Sequence, residues 1–291
     1  MSDQMHSNTL SLGFSPCPND TFLFDALIHQ KINTEGLLFE HVLEDVESLN
    51  RKAFDSVLDI TKLSFFAYGF LSNEYQLLDA GAALGYGVGP LLISKKKFSD
   101  PKVEIKSVAI PGKYTTANFL FSLFFPDLKI KNEMHFSLIE DAVLKGQVDA
   151  GVIIHENRFT YADKGLHQIV DLGSKWEEIT SSPIPLGGIA VRRSLSQDLK
   201  LKINSLVQKS VEYAIANPLS SGAFVKSHAQ EMHPEVIMQH IGLYVNNSSI
   251  DIGNKGRDSI YMLYEKAKAL NLINTLKEPI FLEAKEIQKQ Y

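Results

Sequence analysis

The chain has 291 residues, of which 44% are apolar and 22% are charged, a composition typical of globular rather than disordered or fibrous proteins. Its 29 basic and 34 acidic residues give a net charge of −5 without a basic block, so we expect no nucleic acid partner. A single cysteine excludes an internal disulfide and a multi-cysteine metal site. Because no apolar run approaches the ~20 residues of a membrane span and the N-terminal segment has no apolar signal core, we predict no membrane contact and a cytoplasmic location.

Strands and helices alternate in the first third of the chain. Runs rich in β-branched and aromatic residues predict strands at residues 10–14, 37–43, 57–61, 76–80 and 90–94. Helices are predicted at residues 19–30 and 46–54, with Asn19 or Asp20 as the cap of the first one and Ser64 as the cap of a third.

After a charged connection around residues 95–101 the alternation begins again. The pattern predicts strands at residues 107–110, 133–138, 148–154, 168–172 and 186–192. The predicted helices are at residues 116–125 and 140–145, near residue 176, at 198–216, from 234 onward, and at 257–270.

Two successive sets of strands and helices predict an α/β protein with two lobes, each a mixed sheet flanked by helices. Extended segments near residues 91–95 and 187–191 would connect them. We therefore predict one lobe from residues 1–94 and 188–291 and a second from residues 95–187. Such an arrangement places a ligand in the cleft between the lobes.

Small hydroxyl residues follow a strand in each predicted lobe, in the sequences DITKLS (59–64) and AIPGKYTTA (109–117). Unpaired N–H groups at a helix start favour anions, so the two junctions suit a small carboxylate ligand. Taken one at a time, Ser64, Thr115 and Thr116 are also consistent with ordinary helix caps.

His155 directly follows the predicted strand at 148–154, at the edge of the expected cleft. An imidazole has an ordinary pKa of ~6.5, so it can take up a proton near neutral pH. The alternative is a structural histidine bonded to a carbonyl. None of the other eight histidines has a comparable setting, and His155-Glu156 lacks the second histidine of an HExxH zinc site.

The sequence SPCP (15–18) fixes two backbone angles where the first strand must turn into a helix. This rigid elbow would direct Asn19 into the cleft, although the same sequence is also expected for an elbow with a purely structural role. We interpret Cys17 as a structural residue or one that merely lies next to the cleft, since a single cysteine without an orienting partner behaves as a small apolar side chain.

Five separated motifs occur in the order SPCPNDTFLF, DITKLSFFAYG, PGKYTTANFLF, GVIIHENRFTYADKGL and PLGGIAVRR. Together they resemble the 1,4-dihydroxy-6-naphthoate synthase family of the futalosine route to menaquinone, from about Leu10 to Arg193. The resemblance implies a type-2 periplasmic-binding-protein fold, no metal or other cofactor, and cleavage of cyclic dehypoxanthine futalosine to 1,4-dihydroxy-6-naphthoate.

The resemblance also implies roles for particular residues. His155 would be the catalytic base, matching the histidine of the family's IIHExxF motif. The implied substrate contacts are Lys62, Leu63, Ser64, Thr115, Thr116 and Ala117, to which the elbow argument adds Asn19. Candidate apolar walls for a flat ring, each also compatible with a core position, are Tyr86, Phe159, Tyr161 and Trp176.

Two other functions remain open on the sequence. The same architecture serves solute-binding proteins, which would capture a small carboxylate without converting it. A chorismate dehydratase of the same pathway and fold is the second alternative, although its N-terminal region is not expected to read SPCPND. The sequence does not define an oligomeric state.

Overall fold

The computed structural model describes residues 8–229 and 233–283. Its strands are β1 (Thr9–Phe14), β2 (Leu38–Leu43), β3 (Ile60–Ser64), β4 (Tyr75–Leu77), β5 (Ala83–Gly85), β6 (Leu91–Ser94), β7 (Val108–Ile110), β8 (Lys131–Glu133), β9 (Ala150–Ile153), β10 (His167–Asp171) and β11 (Ile184–Arg192). Its α-helices are α1 (Pro18–Ile28), α2 (Val46–Phe54), α3 (Phe65–Leu71), α4 (Pro101–Glu104), α5 (Thr116–Phe124), α6 (Ile139–Leu144), α7 (Asn157–Thr160), α8 (Leu172–Thr180), α9 (Gln197–Ala216), α10 (Gly222–His228), α11 (Pro234–Tyr244), α12 (Asn247–Ile250) and α13 (Gly253–Ala269).

The strands form two mixed sheets, as predicted. The first sheet has the order β2-β1-β3-β11-β4, with β5 also paired to β11; β1, β2 and β3 are parallel, and β11 runs antiparallel to its neighbours. The second sheet has the order β10-β6-β9-β7-β8, in which β7, β8 and β9 are parallel and β6 is antiparallel to both partners. In the described part of the chain, no helix is long and apolar enough to cross a membrane.

The chain passes between the two sheets twice, and the two passages lie side by side. β5 ends at Gly85, which pairs with Ile184 at the start of β11. Nearby, a Cβ atom on Gly89 would lie only 2.2 Å from the Cα atom of Gly173. The two backbones therefore touch, and only glycine allows an approach this close.

One short strand at the first passage, β6, belongs to a different sheet from the one that the predicted lobe boundary would give it. Leu91–Ser94 was assigned to the first lobe, but it pairs with β9 and β10 in the second sheet. The first residues of β11, Ile184 to Gly187, pair with β5 and so belong to the first sheet. An extended strand shows no sign in its own sequence of which sheet it joins, so the lobe division itself stays a prediction.

Two local predictions are wrong. Residues 133–138 were expected to form a strand, but a 3₁₀ helix occupies Phe136–Leu138 because His135 Nδ1 accepts a hydrogen bond from the Ser137 N–H, at 3.4 Å. At the start of α1, the cap position belongs to Cys17 rather than to Asn19 or Asp20. Pro18 fits the first helical position, where no N–H is required.

A large apolar core is shared by both sheets and includes aromatic side chains from α3, α5, α8 and α13. Trp176 of α8 lies in it with no exposed surface, and its Nε1–H donates to the Pro183 carbonyl at 3.2 Å. This tryptophan fixes α8 against the segment that leads back into β11.

Replacing Trp176 with alanine should lower the free energy of unfolding by about 3–5 kcal/mol, because it leaves a large cavity in the core. Trp176→Phe keeps most of the packing and should cost less. Urea unfolding followed by circular dichroism measures both variants. A loss below about 1 kcal/mol for Trp176→Ala would contradict the core assignment.

Candidate active site

A cleft with an empty volume of about 660 Å³, including its open mouth, lies between the two sheets. The polar lining comes from Ser15, Asn19, Asp20, Lys62, Ser64, Thr115, Thr116 and His155. Apolar walls come from Val46, Ala83, Val88, Ile154, Leu186 and Tyr244. Both sheets thus present hydrogen-bonding groups to one space.

Most of the residues singled out in the sequence meet in this cleft although they are far apart in the chain. Those that line it are Asn19, Lys62, Ser64, Thr115, Thr116, Ala117 and His155. The ends of β1, β3, β7 and β9 place them there, since parallel strands bring their carboxyl ends to one edge of a sheet.

Five other expected residues do not line the cleft. Leu63 is buried in the core, because successive side chains of a strand point to opposite faces and its neighbours Lys62 and Ser64 face the cleft. Trp176 is also a core residue. The other three lie away from the cleft: Tyr86, Phe159 and Tyr161. Tyr86 is about half exposed, and the Lys255 ammonium lies over its ring.

A buried ion pair, not foreseen from the sequence, joins the elbow to β3. The Lys62 ammonium lies 2.8 Å from Asp20 Oδ1, with both side chains nearly inaccessible to solvent. Asp20 Oδ1 also accepts from the Asn19 amide at 2.8 Å, while Oδ2 accepts from the N–H and hydroxyl of Ser15 at 3.2 and 2.8 Å. Such complete pairing is what a charge in a low-dielectric interior requires.

The hydroxyls at the two strand–helix junctions differ in what they bind. Thr115 caps α5: its hydroxyl accepts from the Asn118 N–H at 3.1 Å and donates to the Gly112 carbonyl at 2.8 Å. Thr116 donates to the Leu186 carbonyl of β11 at 2.7 Å, which connects the two sheets. The N–H groups of Thr116 and Ala117 lie in the first turn of α5, where a helix supplies no acceptor.

Ser64 occupies the cap position of α3, but its side chain makes no cap hydrogen bond. Asn50 of α2 holds it instead: the Asn50 amide donates to the Ser64 hydroxyl at 3.3 Å, and Asn50 Oδ1 accepts from the Ser64 N–H at 3.0 Å. The hydroxyl is thereby oriented at the cleft wall.

His155 follows β9 with a left-handed backbone conformation, φ 59°, which is uncommon for a residue with a side chain and typical of functional sites. Its ring packs edge-on against Phe136, with centroids 5.0 Å apart. The Nε2 atom is buried and has no hydrogen-bond partner among the described residues. Burial lowers the pKa of His155 below its ordinary value, and the Glu156 charge opposes this only in part. The imidazole is therefore neutral near pH 7 and can accept a proton.

Cys17 lies under the cleft and does not line it. Burial, together with the nearby charge of Glu156, raises the pKa of the Cys17 thiol well above its usual range. A thiol that stays protonated is a poor nucleophile, so the geometry is consistent with a structural role.

His240 is a buried residue behind the cleft that the sequence analysis missed. It has no exposed surface, and its Nε2 lies 2.9 Å from Asn19 Oδ1. A usable signal was present, because His240 shares one face of α11 with Ile237, Ile241 and Tyr244, at helical spacing. That spacing indicates a buried histidine rather than a surface one.

Glu47 of α2 contacts the second sheet's loop before α5. Its carboxylate accepts from the Tyr114 N–H at 3.1 Å, and a Cβ atom on Gly112 would lie 2.5 Å from it. Arg51 pairs with Glu47 and also with Glu133 of β8. Burial raises the pKa of Glu47 to about 7, against the lowering effect of the Asn50 hydrogen bond.

A family model described as menaquinone biosynthesis matches residues 10–269, most of the chain. The chain belongs to this menaquinone biosynthesis family. Two curated relatives carry the name 1,4-dihydroxy-6-naphtoate synthase. The relative from Thermus thermophilus is 44% identical over 273 residues, 94% of this chain and 99% of its own. The relative from Streptomyces coelicolor is 40% identical over 277 residues, 94% of this chain and 97% of its own.

Solved structures confirm the predicted fold for this member of the menaquinone biosynthesis family. A crystal structure of an Archaeoglobus fulgidus protein has a TM-score of 0.87 at 37% identity and covers 92% of this chain and 100% of that one. The periplasmic aliphatic sulphonate binding protein of Escherichia coli has a TM-score of 0.65 at 9% identity, covering 98% and 97%. The second likeness concerns the fold alone.

The pKa of His155 should lie below 6.5 in solution, because burial disfavours the imidazolium. Glu156→Gln should lower it further by removing a charge that favours the protonated ring. NMR titration of the histidine ring protons measures both. As a control, Glu178→Gln removes an exposed carboxylate of α8 and should leave His155 unchanged. A pKa at or above 6.5, or a rise in Glu156→Gln, would contradict this electrostatic description.

Glu47→Gln should stabilise the protein more at high pH than at low pH. The pKa of Glu47 is raised from 4.5 to about 7 in the folded state, so folding favours the protonated form and stability is lost as pH rises through this window. A neutral glutamine avoids that loss. The melting temperature of the variant minus that of the wild type should increase between pH 5 and 8. The same substitution at Glu178 controls for net charge, and a constant or shrinking difference would refute the prediction.

Proposed function

We propose that this protein is an enzyme that converts cyclic dehypoxanthine futalosine into 1,4-dihydroxy-6-naphthoate in menaquinone biosynthesis. The observation that carries the proposal is the similarity to two curated 1,4-dihydroxy-6-naphtoate synthases over 94% of the chain. The cleft supports it chemically, because a neutral histidine and several anion-binding groups face the same space.

The substrate carboxylate is proposed to bind where the two sheets meet. The N–H groups of Thr116 and Ala117, at the positive end of α5, are suited to an anion. Two of the three N–H groups of the Lys62 ammonium donate hydrogen bonds, one to Asp20 Oδ1 at 2.8 Å and one to the Gly81 carbonyl at 3.4 Å. The third is available to an oxygen of the substrate, and the Ser64 hydroxyl lies on the same wall.

His155 is the proposed general base. It removes one proton from the substrate, and the electron pair left behind drives cleavage of a carbon–carbon bond. The electrons of that bond enter the ring system, which becomes aromatic as the sugar-derived portion leaves. The step is redox-neutral, and a general base typically contributes about 10²–10⁴-fold to its rate. Donors near the developing negative charge contribute further.

The apolar walls of the cleft give the flat product ring a dry surface. Val88, Leu186 and Tyr244 lie beside the polar groups, and excluding water strengthens each charge–dipole contact within the site. Asn19, from the elbow, adds one donor or acceptor without a charge. The proposed substrate is a small carboxylate, and the proposed location of the enzyme is the cytoplasm.

The two alternative functions are not favoured. A carboxylate-binding protein of the same fold has no need of a buried, unpartnered histidine nitrogen at its ligand site. The sister activity, chorismate dehydratase, is not the name that the two curated relatives carry.

His155→Ala should lose at least about 100-fold in kcat for naphthoate formation from cyclic dehypoxanthine futalosine, because the base is gone. The matched control is His167→Ala, at an exposed position of β10 outside the cleft, which should keep wild-type activity. Naphthoate is quantified by chromatography for the wild type and both variants, with saturating cyclic dehypoxanthine futalosine as the substrate.

The outcomes separate the parts of the proposal. Similar rates for wild type and His155→Ala would remove His155 as the base and leave the enzyme. Carboxylate binding without product in the wild type would instead favour the solute-binding function.

A further inference from the structure

A chain of buried polar groups extends from the cleft into the surrounding protein and ends at His240 of α11. The side chain of His240 is completely buried. Its ring packs on Tyr244 with centroids 4.6 Å apart, and its centroid lies 6.1 Å from that of the His155 ring, with 26° between the ring planes. His240 does not line the cleft itself, so any effect it has on a substrate passes through its neighbours.

The direction of each hydrogen bond in this chain follows from chemistry. The Asn19 amide nitrogen donates to Asp20 Oδ1 at 2.8 Å, which leaves Asn19 Oδ1 as an acceptor. His240 Nε2, at 2.9 Å, must therefore be the donor. Asp20 in turn pairs with Lys62 at 2.8 Å. One continuous series of contacts thus runs from His240 through Asn19 and Asp20 to the ammonium group in the cleft.

The opposite side of the His240 ring faces the second sheet's catalytic segment. Its Nδ1 lies 3.7 Å from Glu156 Oε2, and Glu156 is the residue after His155. Neither atom has a hydrogen-bond partner among the described residues, and both are buried. His240 thus stands between the residues that hold the elbow and the segment that carries the proposed base.

A purely space-filling role does not account for this placement. Burying an imidazole is unfavourable unless its nitrogens are bonded, and Nδ1 lacks a partner. Burial also lowers the pKa of His240 well below its ordinary value, with the neighbouring His155 contributing in the same direction. An apolar side chain would fill the volume at lower cost, so the polar contact with Asn19 is the feature that an apolar replacement could not supply.

We propose that His240 is a positioning residue that holds Asn19, and through it Asp20 and Lys62, in register with His155 across the cleft. The inference rests on the proposed function, because it assigns the substrate anchors to one side of the cleft and the base to the other. A misplacement of about 1 Å between such groups is enough to cost about 100-fold in rate. Loss of register therefore affects kcat more than KM.

The test compares three variants of His240 in the full chain. In His240→Gln the amide nitrogen occupies roughly the place of Nε2 and can donate to Asn19. In His240→Asn the shorter amide reaches only the place of Nδ1, and His240→Leu removes all polar contacts. Ile241→Ala, at the adjacent position of α11, is the control for lost packing, since Ile241 contributes to the core beside the cleft.

We expect His240→Leu and His240→Asn to lose about 10- to 100-fold in kcat, with KM changed by less than about threefold. His240→Gln should recover to within about threefold of the wild type, because it restores the donor to Asn19. Ile241→Ala should lower the melting temperature but keep kcat within about twofold. If His240→Leu does not fold, the comparison of His240→Gln with His240→Asn still tests the positioning role, because the two amide side chains have similar polarity and differ in which atom they can place near Asn19.

Equal kcat values for the Gln and Asn variants would overturn the positioning role, whether both are active or both are impaired. A kcat loss in Ile241→Ala as large as that in His240→Asn would overturn it as well, since lost packing would then explain the effect. In both cases the wild type still forms naphthoate, so the proposed function stands. A wild type that forms no product would remove the proposed function and this inference with it.

Discussion

The carboxylate of Asp20 is the constraint on which the ligand-facing half of the first sheet depends. It is buried, so its charge must be matched by donors, and it receives them from Ser15, Asn19 and Lys62. Removing one partner of a buried pair typically costs about 3–5 kcal/mol, because the other charge is left uncompensated. The elbow between β1 and α1 and the central strand β3 are therefore held together by a charge rather than by packing alone.

A second set of polar contacts joins the two sheets around the cleft. Thr116 bonds β11, Glu47 bonds the loop before α5, and Arg158, two residues beyond Glu156, binds the Gly89 carbonyl and Asp171. The Thr116 and Glu47 contacts span the two sheets, whereas Arg158 connects α7 to the first passage and to β10 of the second sheet. The related solute-binding folds close around ligands by relative motion of such lobes. Here a shared apolar core and these hydrogen bonds connect the two sheets on either side of the cleft.

The sequence carried enough information for the architecture and for most of the cleft. Helix α2 was predicted with its observed bounds, Val46–Phe54, and in the structure the Asp45 side chain caps it. The position of His155 at the cleft was predicted from its place after a buried strand; its role as a base stays a prediction. What local patterns could not supply was long-range pairing. The contact between Asn19 and His240 spans 221 positions of the sequence. Asp20 was predicted as a possible helix cap, whereas its carboxylate pairs with Lys62 on β3.

Local patterns also do not show which face of an element a side chain occupies or which strands pair. Leu63 shares a motif with Lys62 and Ser64, but strand alternation turns its side chain into the core. Trp176 was a candidate for a pocket wall or for the core, because large aromatic side chains occur in both, and it lies in the core. Likewise, nothing in the sequence of β6 indicates that it pairs with β9 and β10, so the lobe boundary at residue 94 stays a prediction.

The protonated, buried state of Cys17 has a practical consequence for measuring motion. Alkylating and oxidising reagents attack thiolates that solvent can reach, and this thiol is neither ionised nor accessible. We therefore expect the wild-type chain to react little with maleimide dyes. A pair of surface cysteines, one introduced on α4 and one on α9, can carry a fluorophore pair without first removing the native residue. The distance between these two helices can then be followed during ligand binding.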